Sequence, residues 1–281
     1  MTQSVTQSVT HVVTKVVTVV QARLGSTRLP GKIMEELGGV PVLARMLDRV
    51  RASRLAGTVV LATTTDAPDD AVAAIGAAAG VPVVRGHPTD LLDRHVQAAR
   101  AHGADVVVKI PSDCVLIGPE VIDEVIGAYL EAPDRWDYVS NLHPPTHPDG
   151  NDVEVMPMAL LERAHREATR PMDREHTTPW FWDPPGRFRC LNVAWADGRD
   201  LSRTHRVVLD YREDLALLRA VFAGVRDRWP LVTAAEVADW LDAHPAAMQL
   251  NAHLNGVNWY RHHLDELTAV TAADTRLPTP A

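Results

Sequence analysis

Between Gln21 and Lys32 the chain reads Gln-Ala-Arg-Leu-Gly-Ser-Thr-Arg-Leu-Pro-Gly-Lys. Three cations, Arg23, Arg28 and Lys32, fall within ten residues, beside the hydroxyls of Ser26 and Thr27. Gly25 and Gly31 allow the tight backbone that lets amides and cations converge on several phosphate oxygens. Three basic residues alone would also suit a plain surface loop. Two aspartates strengthen the case: Asp113 follows the apolar run Ala104–Ile110, and Asp210 closes the run His205–Asp210. Magnesium (Mg2+) is commonly held by one or two carboxylates together with substrate phosphates, a requirement that Asp113 and Asp210 would meet. The alternative for Asp210 is a cap on the helix expected from Arg212.

The whole chain explains why such a loop is needed. It has 281 residues and a net charge of −8, so cations for an anionic substrate must be concentrated locally. The same acidity argues against a nucleic-acid partner. Two cysteines, Cys114 and Cys190, lie far apart with no metal-ligand spacing, which fits a reducing cytoplasm. Cys114 reads as a small buried hydrophobe. No apolar run reaches membrane-spanning length. Residues 1–11, with a repeated Thr-Gln-Ser-Val, are expected to form a disordered tail and not a signal peptide.

The elements that must position these residues alternate. Strands are expected at Val12–Val20, Thr58–Ala62, Val81–Arg85 and Ala104–Ile110, with helices over Pro41–Arg51, 69–79, Thr89–His102 and Pro119–Leu130. That rhythm predicts an α/β fold: a doubly wound, mostly parallel, Rossmann-like sheet over residues 12–230. Residues 139–156, rich in Pro, His, Asp and Gly, read as an excursion from the sheet. Further strands are expected at Gly186–Ala196 and His205–Asp210, a helix at Arg212–Val225, and a C-terminal helical extension over 231–281. Its Trp240, Leu241, Leu254, Trp259 and Tyr260 suggest a packed cap.

Rival phosphate motifs fit poorly. Five residues separate Gly25 from Gly31 where a P-loop has four, and Ile33 replaces its Ser/Thr. A dinucleotide GxGxxG fingerprint is absent. The loop instead resembles the Ala-Arg-x-x-Ser-x-Arg-Leu-Pro-Gly-Lys signature of the CMP-sugar-acid synthetases. It is closer still to the cytidylyltransferase family of spore-coat polysaccharide biosynthesis protein F. The resemblance spans about residues 14–225 and includes Lys-Ile-Pro-Ser-Asp-Cys at 109–114, Tyr-Val-Ser-Asn through Pro-Asp-Gly-Asn-Asp-Val-Glu at 138–154, Arg-Glu-His-Thr-Thr-Pro at 174–179 and Val-Leu-Asp-Tyr-Arg-Glu-Asp-Leu at 208–215. One departure is Ser112, where the spore-coat family often has Gly beside the metal-binding aspartate.

The resemblance implies transfer of CMP from CTP to a small anionic acceptor. Arg23, Arg28 and Lys32 would act on the phosphates, with Ala22, Gly25, Ser26, Thr27, Thr63 and Arg85 in the nucleotide site. Lys109, Glu154, Arg174 and His176 are the candidates to hold the acceptor. It also implies a homodimer, formed through an arm at about 139–190. The acceptor expectation leans to a phosphonate such as phosphonoformate, with a sugar acid or sugar phosphate of surface-polysaccharide synthesis as the competing class. The lean rests on the Ala/Val/Arg/Asp-rich composition and the missing Ser-Gly-Thr-Asp-Arg motif. Outside this family, a GT-A-type glycosyltransferase is expected to show an Asp-x-Asp pair, whereas the proposed ligands here lie far apart in sequence. A non-catalytic nucleotide-binding relative would lack some of the cations or aspartates, all of which are present. Among 13 histidines there is no HExxH pattern, so His143, His147, His262 and His263 read as surface or capping residues.

Overall fold

The computed structural model describes residues 14–276, so the expected N-terminal tail lies outside the described residues. The first elements among the described residues are β1 (Val16–Gln21) and a small ribbon of β2 (Glu36–Leu37) and β3 (Val40–Pro41). Then follow α1 (Val42–Ala52), β4 (Thr58–Thr64), α2 (Asp70–Ala78), β5 (Val83–Gly86), α3 (Leu91–Ala101), β6 (Val106–Pro111) and α4 (Pro119–Leu130). The second half supplies β7 (Tyr138–Ser140), β8 (Glu154–Pro157), α5 (Met158–Glu167), α6 (Pro171–His176), α7 (Pro179–Trp182) and β9 (Cys190–Asn192). Three more α-helices follow: α8 (Arg212–Val225), α9 (Ala234–Ala243) and α10 (Pro245–Met248).

The main sheet has seven strands in the order β5-β4-β1-β6-β8-β7-β9. The first four are parallel, while β8 runs antiparallel between β6 and β7. Successive residues of a strand face opposite sides of a sheet. Val16 and Val20 of β1 accordingly join the apolar layer with Leu43, Met46 and Ile122, while Val17 and Val19 join the layer with Leu92, Val96 and Phe181. Strands apolar on both faces are what a sheet covered by helices on both sides demands.

Connections from β1 run one way to β4 and β5, then return by α3 to β6 on the other side of β1. Neighbours β1 and β6 are therefore a topological switch point, where a crevice opens beyond the carboxyl ends of the strands. The segments after Gln21 and Pro111 carry the basic loop and Asp113 to that crevice.

Three expectations are corrected. Residues 139–156 leave the sheet only over 141–153, because their two ends are β7 and the start of β8. The rest of the 139–190 segment packs down too, with Leu161, Met172, Trp180 and Phe181 in the apolar layer over α3. His205–Asp210 is not a strand of the sheet. It crosses over the strand ends and bonds to loops: Asp149 N–H donates to His205 O, Val207 N–H to Asp149 O and Leu209 N–H to Asp113 O. Strand formation in Gly186–Ala196 is limited to β9. In the C-terminal extension Leu241, Leu254 and Tyr260 are buried, as a packed cap requires.

Candidate active site

The loop after β1 turns back at Gly31, whose φ of 70° is in the left-handed region that glycine tolerates best. The turn delivers Lys32 into the crevice with only 8% of its surface exposed. Its ammonium donates to Asp113 Oδ2 (3.1 Å), Asp210 Oδ1 (2.9 Å) and Leu209 O (2.7 Å). Arg28 Nη2 donates to the same Asp210 oxygen at 2.6 Å. Burial opposes the Lys32 charge, but Asp113 and Asp210 outweigh it and hold the pKa above that of an ordinary lysine. Burial also opposes the Asp210 carboxylate, yet Lys32 and Arg28 keep it below the usual carboxylate range. Both groups stay charged at neutral pH.

Asp210 is not a helix cap. That role falls to Asp214, whose Oδ2 accepts the amides of Asp210 and Tyr211 (2.9 Å each). Asp210 is left to face the crevice.

A second set of charges escaped sequence reading. Buried Arg206 donates Nε to Asp214 Oδ1 (2.8 Å) and Nη1 to Asp149 Oδ2 (3.0 Å), and its Nη2 stands 3.6 Å from Asp210 Oδ2. Gly150 permits this arrangement. Its φ is 106°, and a Cβ there would lie 2.6 Å from the Val208 amide nitrogen. Burial is the main cause that pushes Asp149 up to about 6, against the pull of Arg206 and helped by Asp210, Asp214 and Asp113. Asp152 is pushed well up, by burial and then by Asp149 and Asp113. The signal in the sequence was the Pro-Asp-Gly-Asn-Asp run at 148–152, within the family motif.

These groups line one cavity of about 1010 Å³, large enough for a nucleotide and a second small molecule. Ala22, Arg23, Gly25, Ser26, Thr27, Arg28 and Lys32 of the expected set border it, as do Asp113 and Asp210. Among the described residues, the amides of Gly25, Thr27 and Arg28 have no protein acceptor, so they are free to face an anion. Arg94, beside Arg23, also lines this part; burial first, then Arg23, lowers its pKa to about 10, so it remains charged.

Lys109 and Glu154 border the cavity as a buried ion pair, joined in register across β6 and β8. Tyr138 OH donates to Glu154 Oε2 at 2.5 Å. His176 also lines the cavity. So do His143, His147, His262 and His263; His147 is buried, which corrects its reading as a surface or capping residue, while His262 is exposed as expected. No local spacing marks them, because α6, the 143–147 loop and the C-terminal segment meet only in the fold.

Three expected site residues point elsewhere. Thr63 is fully buried within β4 and does not line the cavity. Arg85 is captured by the start of α2, donating Nε to Thr64 O (2.8 Å) and Nη2 to Asp66 O (3.0 Å) and pairing with Asp70 (2.5 Å). Arg174 pairs with Asp90 at 2.6 Å and donates to His165 O at 2.7 Å, tying α6 to the α3 and α5 region. In both arginines a nearer carboxylate outcompetes the cavity. Cys114 is fully buried, and burial pushes its thiol well up, as a core residue and not a nucleophile would have it.

A doubly wound sheet with a cationic loop and two aspartates at its switch point defines a nucleotidyltransferase. The cytidylyltransferase family pattern matches residues 17–243, and the chain belongs to that family of CTP-dependent enzymes. It is 30% identical over 234 residues to the spore coat polysaccharide biosynthesis protein SpsF of Bacillus subtilis, covering 82% of this chain and 95% of that protein. A solved cytidylyltransferase from Leptospira borgpetersenii superposes with a TM-score of 0.80 at 30% identity, covering 84% of this chain and 97% of that one. The 3-deoxy-manno-octulosonate cytidylyltransferase of Anaeromyxobacter dehalogenans is 40% identical over 112 residues, 39% of this chain and 45% of that enzyme.

Proposed function

We propose that the protein transfers CMP from CTP to a sugar acid, with magnesium, and releases pyrophosphate. The observation that carries this reading is the convergence of Lys32 and Arg28 on Asp210, with Asp113 beside them, under the phosphate-sized loop. The likeness to a 3-deoxy-manno-octulosonate cytidylyltransferase and to SpsF supports a sugar acid over a phosphonate, and so does the room in the cavity.

The donor set suits magnesium. Two hard carboxylates already share one cationic nitrogen, so they are close enough to share a metal ion with phosphate oxygens. Among the described residues no three such side chains form a closed metal site, so the phosphates would complete the shell. Bound there, the metal supplies charge neutralisation for the triphosphate.

The residues of the chain perform the rest. Arg23, Arg28, Lys32 and the free amides of the loop hold the triphosphate. An acceptor hydroxyl oxygen attacks the α-phosphorus in line, forming a new P–O bond and giving its proton to solvent. The bond from the α-phosphorus to the bridging oxygen breaks, and pyrophosphate leaves against the cations of the loop. Such transfers depend on positioning and charge stabilisation.

Free Cys114 and Cys190 support a cytoplasmic setting, and the family resemblance supports a homodimer, which light scattering on the purified chain would test. No described helix is long and apolar enough to cross a membrane.

Pyrophosphate release with CTP and magnesium tests the reaction, using 3-deoxy-manno-octulosonate, a sialic-type acid, phosphonoformate and hydroxyethylphosphonate as acceptors. Turnover with a sugar acid is expected. Turnover with a phosphonate alone would replace the acceptor class, and release of free nucleoside diphosphate from a nucleotide sugar would favour glycosyl transfer.

A further inference from the structure

The family pattern ends at residue 243, but the wall of the cavity does not. Beyond α10 the chain returns over the strand ends, and Asn258, Trp259, Tyr260, His262 and His263 line the same cavity as the phosphate loop.

This return is clamped at both ends. At one, Arg206 Nη1 donates to Val257 O (2.9 Å), and Asn251 Nδ2 donates to Arg206 O (3.0 Å) and Asp214 Oδ1 (2.9 Å). At the other, Asp183 Oδ1 accepts the amides of Thr268 (2.6 Å) and Ala269 (3.0 Å), while Arg170 holds Asp183 Oδ2 at 2.7 Å. The segment therefore shares its anchor, Arg206, with the aspartates of the phosphate region.

The chemistry it brings differs from that region. Trp259 stacks on His176 with ring centroids 4.0 Å apart and planes at 13°, and meets His263 at 5.6 Å. Nearby, His143 stacks on Trp182 at 4.1 Å. His176 Nε2 is buried with no protein partner among the described residues. Burial, then His263, lowers His176 to about 3, and burial lowers His143 to about 4, so both rings are neutral at neutral pH. The neighbouring Lys109 is cancelled by Glu154. A small dianion would find little net positive charge here. Aromatic faces with neutral donors and acceptors match the C–H face and hydroxyls of a sugar ring instead.

We infer that the C-terminal segment 258–263 forms, with His176, the subsite for the ring of a polyhydroxylated acceptor. Trp259 walls the ring, and His176 Nε2 meets one of its hydroxyls. The inference rests on the cytidylyl-transfer reading and deepens it, since acceptor choice is then set in part by residues beyond the matched family pattern.

Calorimetric titration with 3-deoxy-manno-octulosonate in the presence of CTP reads this subsite without requiring turnover. Trp259→Ala is expected to weaken acceptor binding by about tenfold or more, equivalent to ~1.4 kcal/mol. CTP binding should change less than about twofold, and Trp259→Phe should restore most of the acceptor affinity. His263→Ala carries the same expectation at smaller scale should Trp259→Ala fail to fold. Absence of acceptor binding to the wild type, equal binding by both proteins, or parallel loss of CTP and acceptor affinity would overturn the inference. Acceptor binding that depends on Trp259, without pyrophosphate release, would strike the transfer reading and leave the subsite standing.

Discussion

The two parts of the cavity solve opposite electrostatic problems. The phosphate part is built from the ends of β1 and β6, and opposite charges meet there in contact: Lys32 with Asp113 and Asp210, and Arg28 with Asp210. The part around Trp259 is built from α6, α7 and the C-terminal segment. There burial discharges His143 and His176, and Lys109 is matched by Glu154. A scaffold common to a family can thus keep one fixed, charged pole for the nucleotide. A neutral wall completed by a segment beyond the family pattern can serve the variable substrate.

Arg206 belongs to both parts, and breaking it should have the largest effect. Arg206→Met leaves Asp149 and Asp214 without their buried cation and frees the Val257 clamp. A loss of about 3–5 kcal/mol in unfolding free energy is expected, read by urea titration. Lys32→Ala and Asp113→Ala act on the charged pole alone. Each should cost ~10²–10³ in kcat while the fold survives and acceptor binding persists. Wild-type rates in either variant would remove the assigned roles.

A smaller effect probes why the neutral part is neutral. His95, fully buried on α3 behind Lys109, is lowered to about 3, chiefly by burial. Its folded pKa lies below its unfolded value near 6.5, so the unfolded chain gains the proton first on acidification. The stabilisation is present above about pH 6.5 and is lost as the pH falls toward 3, with ~2 kcal/mol gone by pH 5. His95→Gln should lack that part of the pH dependence in denaturation midpoints. The smallest effects belong to Arg85→Ala and Arg174→Ala. Both residues are engaged outside the cavity, and KM for CTP and acceptor should stay within about twofold of wild type, as for surface changes.

What the sequence made legible follows the same division. Arg23, Arg28, Lys32 and Asp113 were readable because each sits in the segment that follows a strand, where an α/β sheet binds ligands. The parallel core was readable from its apolar runs and helix periodicity. Asp149 and Arg206 were not assigned roles, because they meet only when Gly150 lets one loop lie against the backbone of Val208. The β-branched residues of 205–210 imitate a strand, yet their partners are loops at 113 and 149. Trp259 and Tyr260 read as packing residues, and Tyr260 is indeed buried. Their place beside His176 depends on clamps at residues 183 and 206, far away in sequence.

The most direct test of the account is a crystal structure of the full chain with CTP, magnesium and 3-deoxy-manno-octulosonate, in a slow variant such as Lys32→Ala. The triphosphate is expected on residues 23–31, with a metal ion between it and Asp113 and Asp210 and the sugar ring against Trp259. A triphosphate bound away from that loop, or a metal that touches neither aspartate, would contradict it.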